Sequence, residues 1–177
     1  MLFGTSVFLS SSRVPEWARP SNMVGPEAEK TGLIRHCSRL FVIGANLTVP
    51  ILSVVLRKSY GLGAMAMAGG MLKGGGFAIA WPTGELGPMG FEGAVKLGFR
   101  KELEAIADPV ERRAFYDKMV ARYYEEGKAI NAASYVEIDA VIDPADTRRW
   151  ILAGLASVAL PRPGERAGRK RPCIDPW

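Results

Sequence analysis

The chain has 177 residues, 48% hydrophobic and 23% charged, a size and composition suited to one globular domain with a substantial core. It lacks any run of eighteen apolar residues, which argues against a spanning helix. Met1–Leu9 has no basic segment before it and no clean cleavage site after it, which argues against a secretory signal.

The net charge is +5. Pro161 onward supplies +3 of it: five basic residues (Arg162, Arg166, Arg169, Lys170, Arg171) against two acidic ones (Glu165, Asp175). No aromatic platform interleaves with these cations, so nucleic acid is not an expected partner, and neither is a membrane. The two cysteines, Cys37 and Cys173, do not make a disulfide framework, and a reducing cytoplasm is the expected compartment. No His/Cys/Asp cluster has the spacing of a metal site, so no metal is expected.

Residues 1–22 show no hydrophobic period. Ser10–Ser12, Pro15 and Pro20 break the segment, which is expected to be a poorly ordered leader. From Pro26 a long helix is expected to about Asn46. Leu33, Leu40, Phe41 and Ile43 fall near helical spacing, with Arg35, His36 and Arg39 between them. Ile51–Leu56 is continuously apolar, as in a strand buried on both faces. A short small-residue helix over 64–68, a loop at Gly74–Gly76 and a strand at Phe77–Trp81 follow.

The next helix is expected over 91–100, and a charged helical hairpin over 101–127. Asp108-Pro109-Val110-Glu111 reads as an N-cap, a proline in the first turn and an acidic start. Gly127 reads as a left-handed C-cap. A third strand is expected over 136–142, and Asp143-Pro144 opens a last helix that ends near Leu160, stopped by Pro161 and Pro163. Alternating strands and helices imply an α/β fold with largely parallel strands.

The segment Lys58–Gly70, reading KSYGLGAMAMAGG, follows the apolar strand. Gly61 and Gly63 allow a sharp turn and close approach of a ligand to the backbone. Amides at the start of the following helix would face negative charge, as in an oxyanion hole. Close packing of small residues explains the same composition. Ala80–Val95 is a second strand–turn–helix unit. Asn131–Arg148, Gly25–Gly32 and Leu56-Arg57-Lys58 complete an ordered set of motifs.

In order and spacing these motifs, over about residues 23–177, resemble the carboxyltransferase (beta) subunit of biotin-dependent acyl-CoA carboxylases, the acetyl-CoA and propionyl-CoA carboxylase group. The resemblance implies a crotonase-like spiral of ββα turns. It implies carboxyl transfer from carboxybiotin, carried by a partner domain, to the α-carbon of an acyl-CoA. Backbone amides rather than a catalytic triad would stabilise the two oxyanions involved. Carried over residue by residue, the amides of Leu62 and Gly63 become the donors to the biotin carbonyl. Gly61, Ala64, Met65, Met89, Gly90 and Gly93 become substrate-binding positions.

The family more often has Gly then Ala where this chain has Leu62 and Gly63, and the Leu62 side chain would narrow the pocket. Met65 matches a position that helps select acyl-chain length, although Met65 and Met67 also read as core. Tight packing around glycine explains Gly90 and Gly93 as well as ligand contact does. His36 is expected on a scaffold helix, at the surface or in packing. Glu85 and Glu92 lie nearest the motifs, with no paired-carboxylate geometry readable.

The resemblance weakens ahead of Met23. The family has Asp-Thr-Pro-Gly after an apolar strand. Here Ala18 stands at the Asp position, Ser21 at the Gly position, and Ser11–Trp17 replaces the strand. The N-terminal half of the family subunit has no counterpart in this sequence, so a C-terminal carboxyltransferase domain over 23–160 with a basic tail over 161–177 is expected. Implied partners are the N-terminal carboxyltransferase half, a biotin carboxylase and biotin carrier subunit, and further copies of the chain. Two other readings remain open: a non-catalytic assembly module and a crotonase-type CoA decarboxylase.

Overall fold

The computed structural model describes residues 6–8, 26–47, 50–73 and 76–157. A four-stranded sheet in the order β1-β2-β4-β6 organises them, from strands β1 (Ser6–Phe8), β2 (Leu52–Val55), β4 (Phe77–Ala80) and β6 (Ala140–Val141). β2 pairs parallel with β4, Leu52 opposite Phe77 and Val55 opposite Ala80, and β4 pairs parallel with β6. β1 is the antiparallel edge, Ser6 opposite Val55. It lies in a segment whose sequence gave no sign of a strand.

The apolar run that marks β2 is explained by burial on both faces of the sheet. All four of its residues are buried, Ser53 included. Alternate side chains sort into two layers. Val55, Ala78 and Ala80 pack with Leu86, Ile138, and Ala129 and Ala132 of helix α7 (Ala129–Ser134). Val54 and Ile79 pack with Ile142, and Trp150 and Ile151 of helix α8 (Thr147–Ser157) lie against them. The sheet is thus a middle layer between helices, as a mostly parallel sheet requires.

Several sequence expectations change. The helix expected over 26–46 is two helices, α1 (Pro26–Lys30) and α2 (Leu33–Asn46). Gly32 between them has φ 75°, a left-handed conformation that no helix continues through. The helix expected over 91–100 is α4 (Phe91–Gly98), and α5 (Arg100–Ala105) restarts after Phe99. Asp108 caps α6 (Pro109–Glu126) as read, its Oδ1 accepting from the Val110 amide at 3.1 Å.

Gly127 is not a left-handed cap, since its φ is −82°. It is needed for space: a Cβ there would lie 2.1 Å from Cζ of Phe91. The strand expected over 136–142 shrinks to Ala140–Val141, the residues that reach Ile79 and Ala80 of β4. Upstream of it stands α7, which the sequence did not signal. Asp143 caps a 3-10 turn, Pro144–Asp146, accepting from the Ala145 amide at 2.8 Å, and α8 follows. The expected end of that helix near Leu160 lies outside the described residues, as do Gly74 and Gly75 of the expected loop.

Candidate active site

Two further strands, β3 (Lys58–Tyr60) and β5 (Glu85–Gly87), form a separate two-stranded sheet. They run parallel, with Lys58 opposite Glu85 and Tyr60 opposite Gly87. Both glycine-rich motifs therefore leave the same end of one sheet. The first passes into α3 (Gly61–Met67) and the second, through Pro88-Met89-Gly90, into α4.

The two turns touch. Gly61 has φ 61°, and a Cβ on it would come within 2.7 Å of the Pro88 carbonyl oxygen. Both reasons require glycine here: the backbone conformation and the closeness of the neighbouring chain. Leu62 and Gly63 occupy the first turn of α3, where helix amides lack a carbonyl one turn below to bind.

The positions singled out by sequence gather here. The Leu62 side chain is 71% exposed, Met65 and Met89 are also exposed, and Gly63 and Ala64 are half-buried. The core reading of Met65 therefore does not hold. Gly90 and Gly93 have no atom within 4 Å of where a Cβ would stand, so tight packing does not explain them. His36 is exposed on α2.

Glu85 and Glu92 are not paired with each other; each binds a tyrosine. The Tyr60 hydroxyl donates to Glu85 Oε2 at 2.6 Å, and the Tyr124 hydroxyl donates to Glu92 Oε1 at 2.7 Å. Between them sits Phe91, 2% exposed, edge-on to both tyrosine rings with centroids 5.0 Å away in each case. Gly87 and Gly127 leave room for its ring: a Cβ on Gly87 would fall 2.7 Å from Phe91 Cε1.

Burial first, and then the bond to Glu85, push the Tyr60 hydroxyl well above the ordinary tyrosine range. The bond to Glu92 first, and then burial, push Tyr124 up to about 12. The same bond holds Glu92 below the usual carboxylate range, helped by its own backbone amide and by Lys58 and Lys96. The cluster thus fixes protons in place. Sequence reasoning named both glutamates but missed Tyr60, Phe91 and Tyr124 as their companions. Tyr60 stood in the motif itself, whereas nothing local marks Tyr124.

A cleft of about 620 Å³ lies on the flank of this cluster, between α4 and α6. Its cations already have partners. Arg112 donates to the Ile106 carbonyl at 2.7 Å, Arg113 pairs with Asp117 at 2.9 Å, and Lys96 sits over the Tyr116 ring. Among the described residues, no group of three or more His, Cys, Asp or Glu could hold a metal ion, and no helix is long and apolar enough to cross a membrane.

Comparison with known protein families finds one match for this α/β chain, the carboxyl transferase domain. That family matches residues 20–171, and the chain belongs to it. A propionyl-CoA carboxylase carboxyltransferase subunit from Haloferax mediterranei is 39% identical over 137 residues, 77% of this chain and 26% of the relative.

Solved structures agree in fold. A single-chain, multi-domain long-chain acyl-CoA carboxylase is 52% identical with a TM-score of 0.64, over 74% of this chain and 12% of that one. Transcarboxylase 12S, a hexamer solved with methylmalonyl-coenzyme A bound, is 36% identical with a TM-score of 0.66, over 85% of this chain and 29% of that one. The chain spans about a quarter of the length of the curated relatives it matches.

Proposed function

We propose that this chain supplies the biotin-facing part of a carboxyltransferase that moves a carboxyl group from carboxybiotin to the α-carbon of an acyl-CoA. The observation that carries the reading is the pair of touching turns at one end of β3 and β5, with the Gly61 turn against the Pro88 carbonyl. Biotin, presented on a partner carrier domain, supplies the carboxyl group. The amides of Leu62 and Gly63 donate to its ureido oxygen, where negative charge accumulates as the carboxyl group leaves. No atom stands within 4 Å of where a Cβ on Gly90 or Gly93 would lie, which leaves the backbone there open to a ligand.

Met65 and Met89, exposed beside the turns, border the acyl chain of an acetyl- or propionyl-type substrate. The relatives named as propionyl-CoA carboxylase and transcarboxylase subunits support this substrate class. Stacking of the ββα turns into a crotonase-like spiral, assembly with an N-terminal carboxyltransferase half and a biotin carboxylase, oligomerisation of copies, and a cytoplasmic location belong to the same proposal.

The test is carboxyl transfer in reverse, from malonyl-CoA or methylmalonyl-CoA to free biotin, with the chain joined to a family N-terminal half. Leu62→Pro deletes one amide at a helix start, where proline is tolerated. Its loss is expected to lower kcat by about 10²–10³-fold, the cost of one oxyanion donor. His36→Ala is expected to leave kcat unchanged. Full activity in Leu62→Pro would reject the amide reading, and inactivity of the unaltered assembly would point to an assembly module instead.

A further inference from the structure

Tyr60 ends β3 and immediately precedes the Gly61 turn, so its backbone carries that turn. Its side chain makes two contacts with the second strand–turn–helix unit. The hydroxyl binds Glu85, the first residue of β5, at 2.6 Å. The ring meets Phe91, the first residue of α4, at 5.0 Å and an interplanar angle of 61°. Phe91 cannot shift easily, because it is 2% exposed and hemmed in by Tyr124, Gly87 and Gly127. One side chain therefore ties the first turn to both the strand and the helix of the second unit.

We propose that Tyr60 is a positioning residue for carboxyl transfer: its bond to Glu85 and its contact with Phe91 fix the amides of Leu62 and Gly63 relative to the Pro88–Gly90 turn. This rests on the reading that those amides receive the developing negative charge.

Backbone pairing between the two turns is short, since β3 and β5 are three residues each; the further bonds of β5, an antiparallel bridge from Glu85 to Lys128 and the Leu86 amide donating to the Gly127 carbonyl at 2.8 Å, reach the end of α6 and not β3. A two-stranded element of that length is marginal by itself. A charge-assisted bond of the Tyr–carboxylate kind is about twice as strong as a neutral one. Placement matters because an error of about 1 Å in a reacting group can cost about 10²-fold in rate. The hydroxyl stays protonated, with burial and Glu85 both raising its pKa, so its part is to hold geometry and not to move a proton.

The experiment uses the chain joined to a family N-terminal half, in the reverse reaction with free biotin. Tyr60→Phe keeps the ring and removes the hydroxyl. It is expected to lower kcat by roughly tenfold or more while the KM for biotin stays within about twofold. A purely structural role would lower the melting temperature and leave kcat of the folded enzyme unchanged. Glu85→Ala is expected to match Tyr60→Phe, and the double variant to be no worse than either, because both remove one bond. Glu85→Gln is expected to recover most of kcat, since its amide oxygen still accepts the hydroxyl.

An unchanged kcat in Tyr60→Phe, or additive losses in the double variant, would overturn the proposal. Leu62→Pro separates the two readings. If it is inactive while Tyr60→Phe is fully active, positioning alone fails; if it is fully active, the amide reading fails with it. Should Tyr60→Phe not fold, the contrast between Glu85→Ala and Glu85→Gln carries the same expectation.

Discussion

Tyr124 and Glu92 show what a single hydrogen bond does at the edge of this site. The bond, with burial adding to it, keeps the Tyr124 proton on until about pH 12, against an ordinary value near 10. The folded state thus holds that proton more tightly than the unfolded chain does. The resulting stability is complete below pH 10 and is lost as pH rises toward 12. Glu92, held low, contributes stability that is present above its ordinary range and is lost on acidification. In Glu92→Gln the Tyr124 titration is expected to move down toward 10, followed through the tyrosine ring carbons by NMR and assigned with Tyr124→Phe. An unmoved midpoint would mean that burial, not Glu92, sets it.

At the scale of elements, α2 meets the turn after α3 with no side chain between them. A Cβ on Gly44 would come within 2.6 Å of the Gly69 Cα and carbonyl oxygen. Gly44→Ala gains up to about 1 kcal/mol of helix propensity. It loses about 1–3 kcal/mol to overpacking, and the obstacle is backbone, which cannot rotate away. The steric cost is expected to win, lowering the denaturant midpoint by the equivalent of about 1–2 kcal/mol at an unchanged slope. A rise in midpoint would show that α2 is free to slide.

How much of this was legible follows from which elements carry a local signal. β2 was readable because burial on both faces demands an unbroken apolar run, and α6 because Asp108-Pro109 is a local cap. β3 and β5 were not. Lys58-Ser59-Tyr60 and Glu85-Leu86-Gly87 have no apolar run, and they become strands only by pairing with each other at long range. The strand expected over 136–142 is too long for the converse reason: its residues look extended, but β4 bonds only its last part, from the Asp139 amide on the Ala78 carbonyl to the Ile142 amide on the Ala80 carbonyl. At the site, the glycine turns were visible in sequence. The tyrosine–glutamate bonds were not, because they depend on that same unseen pairing.

For the molecule as a whole, the placement of apolar surface bears on how the chain exists in solution. Leu62, Met65, Met89 and Leu97 are all exposed on α3, on α4 and in the turn leading into α4. Exposed apolar side chains mark interfaces where they join into a contiguous patch. The isolated 177-residue chain is expected to associate with itself as concentration rises, and joining it to an N-terminal half is expected to suppress that association. Sedimentation velocity over a concentration series reads both effects. A clean monomer throughout would mean that these side chains lie on an ordinary free surface.

The seat of Phe91 has a consequence for how the sequence can drift. Its ring occupies the space that a side chain at Gly127 or Gly87 would need. These positions lie in three separate parts of the fold: the end of β5, the start of α4 and the end of α6. They can change only together. A descendant that gains a methyl at 127 must first shrink residue 91, and in doing so it loosens the contacts of Tyr60 and Tyr124. Substitution along the lineage should therefore be correlated at these sites, with bulk conserved across the group and not at any one member of it.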